Sequence, residues 1–282
     1  MRSHLKLALL VALVAPLVLA AQRPDGRASG NAIDPPGTFS ILGYDPTTNE
    51  IGAAVQSRVF SVGNGVLWAE AGVGAVATQA IVDVSYGPQG LELLRQGMAP
   101  KDIIKTIWDR DPDPGYRGQR WQKAGRQFAV INAKGEVAAF TGPEAPPESG
   151  DAQGKFCTAQ GNTLGRPDHV FPPADGIKPS KVPAAMVEGF EKSALNASGQ
   201  PQHISLRLVA ALEAGQAAGG DNRGQQSAAL IVVKKDAGVW LHNDVVLRLQ
   251  VDDNPEPIKE LRRLVEMSPP ARGRGRGGEP RR

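Results

Sequence analysis

The chain holds one cysteine, four histidines and an aromatic fraction of 5% in 282 residues. A lone cysteine excludes an internal disulfide, so the fold stands on packing alone. Cys157 reads as a buried small hydrophobe rather than a nucleophile. His4, His169, His203 and His242 have no metal-ligand spacing, and HExxH and CxxC are missing, so no metal is expected. GxxxxGK[ST] and GxSxG are missing too, which leaves no signal for a phosphate loop or a serine-hydrolase elbow. Gly72 to Ala77 matches a dinucleotide fingerprint on paper, but it lies inside a predicted strand with no helix start. No cofactor is expected.

Long apolar runs are also missing, except at the N-terminus. Arg2 and Lys6 precede an apolar stretch from Leu7 to Ala20 that only Pro16 interrupts, and Ala20 or Ala21 supplies a small residue for cleavage. The stretch falls short of the roughly twenty residues that span a bilayer. Residues 1–21 therefore read as a signal peptide. The protein is expected to be exported (periplasmic or secreted), without stable membrane insertion after cleavage. An uncleaved anchor is the alternative.

Residues 22–37, rich in Gly, Pro and Ala, read as a flexible linker or propeptide. At the other end, residues 268–282 carry Arg272, Arg274, Arg276, Arg281 and Arg282 against Glu279, a net +4 that exceeds the whole-chain +3. The basic balance belongs to this disordered tail and not to the body, which is slightly acidic. No nucleic-acid partner is expected.

Residues 38–267 suit one domain with a sizeable core. The predicted strands are Thr38 to Tyr44, Ile51 to Arg58, Val73 to Val82, Gln127 to Ile131, Val137 to Thr141, Phe156 to Gln160, Ser227 to Lys234 and Val245 to Val251. Helical spacing marks Gly90 to Met98, Lys101 to Asp109, Val182 to Leu195, His203 to Ala218 and Pro257 to Met267. Residues 142–153 and 163–181 read as loops. The runs AAV, VGAVATQAIV and SAALIVV lack a polar residue at every second place, as in strands covered on both faces. Helices grouped between blocks of strands argue against a βαβ repeat. An α+β fold satisfies both observations: a single-domain, four-layer αββα sandwich with two stacked sheets and helices outside each.

One junction carries chemistry. At Gly37-Thr38 a leader meets the first buried strand. A Thr at the first residue of such a strand can attack a carbonyl if its own α-amine takes the proton. That amine, with an ordinary pKa near 8, is a usable base at neutral pH, unlike a lysine near 10. It exists only once the preceding bond is cut. Thr38 is equally the kind of residue that starts a strand by β-propensity alone.

The runs TFSILGYDP (Thr38 to Pro46), IGAAVQSR (Ile51 to Arg58), AGVGAVATQA (Ala71 to Ala80) and SYGPQGLELL (Ser85 to Leu94) resemble an uncharacterised family, DUF1028. So do QGN (Gln160 to Asn162), LEAGQAAGGDNRGQQSAALIVV (Leu212 to Val233) and LRLQVDDNPEPIKELRRL (Leu247 to Leu264). The resemblance implies the αββα fold of N-terminal-nucleophile (Ntn) hydrolases and suggests an amide-bond hydrolase. Members of the family commonly begin next to the initiating methionine, whereas here residues 1–37 precede Thr38, so a second cut is required. The closing motif usually has a His where Asn254 stands.

Around Thr38 the resemblance suggests roles. Gln56, Ser57 and Arg58 resemble the aspartate-serine-arginine stretch of proteasome-type subunits, with Gln56 replacing the aspartate. Arg58 is then expected to lower the pKa of the Thr38 amine and to hold its hydroxyl. A surface cation is the alternative. Thr78, Gln79 and Asn162 are candidate oxyanion donors. Asp221, Arg223, Gln226 and Ser227, in a glycine-rich bend, are candidate substrate-binding residues, with a turn-capping role for Asp221 as the alternative. Two functions follow from the sequence. One is a Thr hydrolase acting on a small-molecule or peptide amide outside the cytoplasm. The other is a non-catalytic exported ligand-binding module that keeps the fold. A homodimer is compatible with either.

Overall fold

The computed structural model describes residues 37–116, 121–146, 148–165 and 180–270. The expected signal peptide, the expected linker up to residue 36, most of the expected 163–181 loop and the expected tail from residue 271 lie outside the described residues.

The chain opens on a hairpin of β1 (Thr38–Asp45) and β2 (Glu50–Ser57). Its turn is fixed locally: Asp45 Oδ1 accepts the Thr47 amide at 2.8 Å, and Asn49 adopts the left-handed conformation at φ 58°. A short α1 (Gly63–Val66) leads into β3 (Leu67–Glu70) and β4 (Gly74–Ala80). Helices α2 (Tyr86–Arg95) and α3 (Pro100–Arg110) follow, the second started by a proline at its first turn. The next strands are β5 (Arg126–Asn132), β6 (Val137–Thr141), β7 (Gly150–Gly154) and β8 (Cys157–Asn162). Then come α4 (Val182–Lys192), α5 (Ile204–Ala217), β9 (Ser227–Val233), β10 (Val245–Val251) and α6 (Pro257–Met267).

All pairings are antiparallel, and they make a mixed α+β domain with two sheets. The larger sheet has the order β10-β9-β2-β1-β8-β7 and the smaller β3-β4-β5-β6. Three apolar clusters define the packing. Phe39, Ile41, Ala54 and Leu230 meet Met186, Phe190, Leu208 and Leu261, which puts α4, α5 and α6 on one face of the larger sheet. Leu42, Ala53, Val55 and Ile231 meet Ala75, Ala77 and Ile131 between the two sheets. Val76, Phe128 and Val130 meet Leu91, Leu94, Ile103 and Ile107, which puts α2 and α3 on the far face of the smaller sheet.

β2, β4 and β9 are therefore buried at every position, as their unbroken apolar and small-residue runs imply. Cys157 is fully buried, and burial, with the Glu191 carboxylate, pushes its thiol up to about 12. Two strands differ from the sequence expectation. β7 (GDAQG) takes up the end of the expected 142–153 loop and runs one residue past it, and β3 (LWAE) is only four residues long. Neither has the composition of a strand. Each is an edge strand held by its ladder to one neighbour, from Gly150↔Gly161 to Gly154↔Cys157 for β7 and from Leu67↔Ala77 to Glu70↔Gly74 for β3. Among the described residues no helix is long and apolar enough to cross a membrane.

Candidate active site at the Gly37–Thr38 junction

Strand alternation decides which way Thr38 faces. Phe39 and Ile41 lie in the cluster under α4 and α5, and Leu42 lies in the inter-sheet cluster. Thr38 and Ser40, at even spacing from Leu42, face the inter-sheet layer. In the ladders Thr38 stands opposite Ser57 of β2 and Asn162 of β8, so these three side chains share one level and one face.

At this level the layer changes character. Around Ile51 and Ile131 it is apolar; at the Thr38 end it is a buried polar network. Ser40 Oγ donates to Gln79 Oε1 at 2.7 Å, and Gln79 Nε2 donates to the Thr38 carbonyl at 3.2 Å and to Gln127 Oε1 at 2.9 Å. Asn162 Nδ2 reaches the same Gln127 oxygen at 3.1 Å, and Gln160 Nε2 donates to the Ala77 carbonyl at 3.1 Å. Such a network holds the first strand in a fixed pose through its amide N–H donors, while Gln160 Oε1 and Asn162 Oδ1 are buried without a partner among the described residues.

The hydroxyls form a directed chain. Ser57 Oγ donates to the Gly37 carbonyl oxygen at 2.6 Å, and Thr38 Oγ1 lies 3.0 Å from Ser57 Oγ. A serine has one hydroxyl hydrogen, so Thr38 is the donor in the second contact. Arg223 Nη2 also donates to the Gly37 oxygen, at 2.9 Å. The carbonyl that precedes Thr38 therefore has one hydroxyl and one guanidinium aimed at it.

Arg223 is placed by the glycine-rich bend between α5 and β9. Gly220 and Gly224 take φ of 58° and 99°, values open to glycine at no steric cost. The bend is braced by the Gly165 amide on the Gly220 carbonyl at 2.8 Å and by the Asn222 amide on the Thr163 carbonyl at 3.1 Å. Asp221, its side chain fully buried, accepts Arg223 Nε at 3.1 Å and Nη2 at 2.8 Å in a two-pronged pair, and also the Arg223 amide at 2.9 Å. The Arg58 amide adds a fourth bond at 3.2 Å. The same carboxylate stands against Gly37, where a Cβ would lie 2.5 Å from Asp221 Oδ1. Only glycine fits there.

The structure brings Thr38, Gln79, Asn162, Asp221 and Arg223 together, sets Thr78 in a cleft that Thr38 and Gln79 also line, and leaves Gln56, Arg58, Gln226 and Ser227 in other roles. Gln56 stands opposite Phe39 in the ladder, so its side chain lies on the other face of the sheet from Thr38; it is fully buried and its amide has no hydrogen-bond partner among the described residues. Arg58 donates through Nη1 to Gln226 Oε1 at 2.8 Å, near the surface, and Gln226 continues to Asp253 at 3.1 Å. The cation that reaches the junction is Arg223. Gln79 is engaged in holding the Thr38 carbonyl, and Thr78 Oγ1 donates to the Gly65 carbonyl at 2.8 Å. Ser227 Oγ donates to the Val59 carbonyl and accepts the Val62 amide at 3.1 Å, so it shapes the turn after β2.

Sequence reasoning passed over Ser40, Gln127 and Gln160 and gave Ser57 no role of its own. A signal for them exists: polar residues at even spacing on otherwise apolar strands (Thr38 and Ser40; Gln160 and Asn162) mark a strand end whose inner face is polar. Among the described residues no group of His, Cys, Asp and Glu stands together as a metal site.

Among solved structures, the chain is similar to the crystal structure of protein SPO2555 from Silicibacter pomeroyi, attributed to DUF1028, with 30% identity and a TM-score of 0.66. The match covers 83% of this chain and 86% of that one. No curated protein matches. The family of unknown function DUF1028 matches residues 38–261, starting at the threonine described above, and the chain belongs to that family.

Proposed function

We propose that this protein is an exported Ntn-type amide hydrolase, an αββα sandwich that cuts its own Gly37–Thr38 bond and then uses Thr38 as nucleophile. The observation that carries the reading is the pair of donors on the Gly37 oxygen, Ser57 Oγ at 2.6 Å and Arg223 Nη2 at 2.9 Å, beside the Thr38 hydroxyl. These are the groups a developing oxyanion needs, fixed before reaction. Two stacked sheets with helices outside each, and a family match that begins at Thr38, support the same reading.

Thr38 Oγ1 bonds to the Gly37 carbonyl carbon while its proton moves to Ser57 Oγ, and the Ser57 proton moves to the Gly37 oxygen. Collapse of that intermediate returns the oxygen's proton to the Thr38 nitrogen and breaks the C–N bond, leaving an ester between Gly37 and Thr38. Water hydrolyses the ester to a Gly37 carboxylate, freeing the Thr38 hydroxyl and α-amine. The amine is then the base for later substrates.

The binding-module alternative draws on Gln56, which stands where a charge partner would and faces the other side of the sheet. Intact mass of the exported protein separates the two readings. A chain that starts at Thr38, absent from Thr38→Ala and retained in Thr38→Ser, is the expected result. Gly37→Ala is expected to block the cut, because its methyl group meets the Asp221 carboxylate. A preparation that always starts at Ala21 or Gln22 overturns the hydrolase.

A further inference from the structure

Thr38 also lines an open cleft of about 160 Å³. Thr38 forms one wall, and Val59, Phe60, Val62, Val66 and Val82 supply most of the rest. Among the described residues no charged side chain lines it. Two observations distinguish the cleft from a surface irregularity.

The first is that its outer turn is pinned. The Val59 carbonyl and the Val62 amide are both held by Ser227 Oγ, the Ser61 amide donates to the Asp252 carbonyl at 3.1 Å, and the Ser61 hydroxyl binds the Asp252 carboxylate. The second is that this fixed turn leaves apolar side chains in water: Phe60 is 64% exposed and Val59 37%. A side chain of that size gains about 1.5–3 kcal/mol on burial, so an apolar group that covers it binds with that gain.

We infer that this cleft is the specificity pocket of the Thr38 site and takes an apolar substituent, of branched aliphatic size, on the acyl side of the amide. The inference rests on the hydrolase reading for what the pocket serves. Position selects the occupant, since Thr38 itself lines the cleft. Chemistry selects it too. A carboxylate or ammonium in this cleft would lose water without meeting a counter-charge, whereas an isobutyl group loses nothing.

The test is binding of N-acetyl-leucinamide, N-acetyl-glycinamide and the α-amide of N-acetyl-glutamate, measured by ligand-observed NMR on the purified protein and on Thr38→Ala. The leucine amide is expected to bind about tenfold or more tightly than the other two. Phe60→Ser, at an exposed position that leaves folding intact, is expected to remove that preference. Equal binding of the three probes, or an unchanged preference in Phe60→Ser, overturns the pocket. The two readings fail separately. A chain that starts at Thr38 but shows no leucine preference keeps the hydrolase and loses the pocket, and a leucine preference on a chain never cut at Gly37 does the reverse.

Discussion

At the residue scale the arrangement assigns different work to two arginines that look alike in sequence. Arg223 is held by a buried carboxylate and points a guanidinium N–H at the Gly37 oxygen. Arg58 meets the same carboxylate only through its backbone amide, and its side chain leads to Gln226. In the proposed self-cleavage, replacing Arg223 by alanine is therefore expected to slow the reaction about 10²–10³-fold, the usual cost of one oxyanion donor, and replacing Ser57, which also relays the Thr38 proton, at least as much. Arg58→Ala keeps the backbone amide and is expected to leave the rate within about threefold, well inside the effect of one donor. The time course of the Thr38-starting chain by mass spectrometry reads all three. A loss in Arg58→Ala as large as in Arg223→Ala would show that the guanidinium on Gln226 acts on the junction after all.

At the element scale, one buried trio joins the two helices on the smaller sheet to its strands. Asp111, at the end of α3, binds the Tyr86 hydroxyl of α2 and accepts Arg126 Nε of β5 at 3.2 Å. The Asp111 and Arg126 side chains are essentially buried. Arg126 Nη1 also ties the Ile81 carbonyl at 2.8 Å and the Trp121 carbonyl at 2.9 Å. Burial by itself raises the Asp111 carboxyl, but the Tyr86 hydroxyl, the Asp113 amide and the Arg126 charge outweigh it and hold the group below its ordinary value. A depressed folded-state value means the stabilisation is complete above the unfolded value of about 3.9 and fades as pH falls through the lowered one. Urea midpoints are expected to drop between neutral pH and pH 3 more in the native protein than in Asp111→Asn. Asp111→Ala leaves Arg126 buried without its counter-charge and is expected to cost about 3–5 kcal/mol at neutral pH. A change below about 1 kcal/mol, the range of a surface pair, would mean that the trio is not a fastener.

At the scale of the whole molecule, the boundary between body and basic tail falls inside the stretch that composition marks as tail. Ser268 is buried, and its hydroxyl donates to the Val265 carbonyl at 2.6 Å, closing the last turn of α6. α6 in turn commits Ile258, Leu261 and Val265 to the core under the larger sheet. Removal of residues 271–282 is expected to leave the melting temperature unchanged, because their charge and glycine content offers no apolar face. A chain ending at Met267 is expected to melt about 2–4 °C lower, the shift that about 1 kcal/mol produces in a domain of this size. Calorimetry on the two truncations tests this; equal melting temperatures would deny Ser268 its closing role.

The pattern of apolar residues was enough to establish the long elements and their layering. Runs such as AAV and SAALIVV have both faces apolar, so each needs cover on two sides whatever its neighbours are, and helical spacing in α3 and α6 similarly commits one face. The short edges β3 and β7 were not legible, because their strand state comes from the ladder of the neighbouring strand and not from their own residues. The chemistry divides in the same way. That Thr38 follows Gly37 at the head of a buried strand is written in the chain, as is the glycine-rich bend that carries Asp221 and Arg223. Only the tertiary structure decided which side chains meet there. Sheet alternation turned Gln56 away and Ser57 inward, and the bend carried Arg223 across 186 positions of sequence to the Gly37 carbonyl. Local propensity acts between near neighbours, whereas a hydrogen bond acts between whatever groups the packed sheets bring within reach.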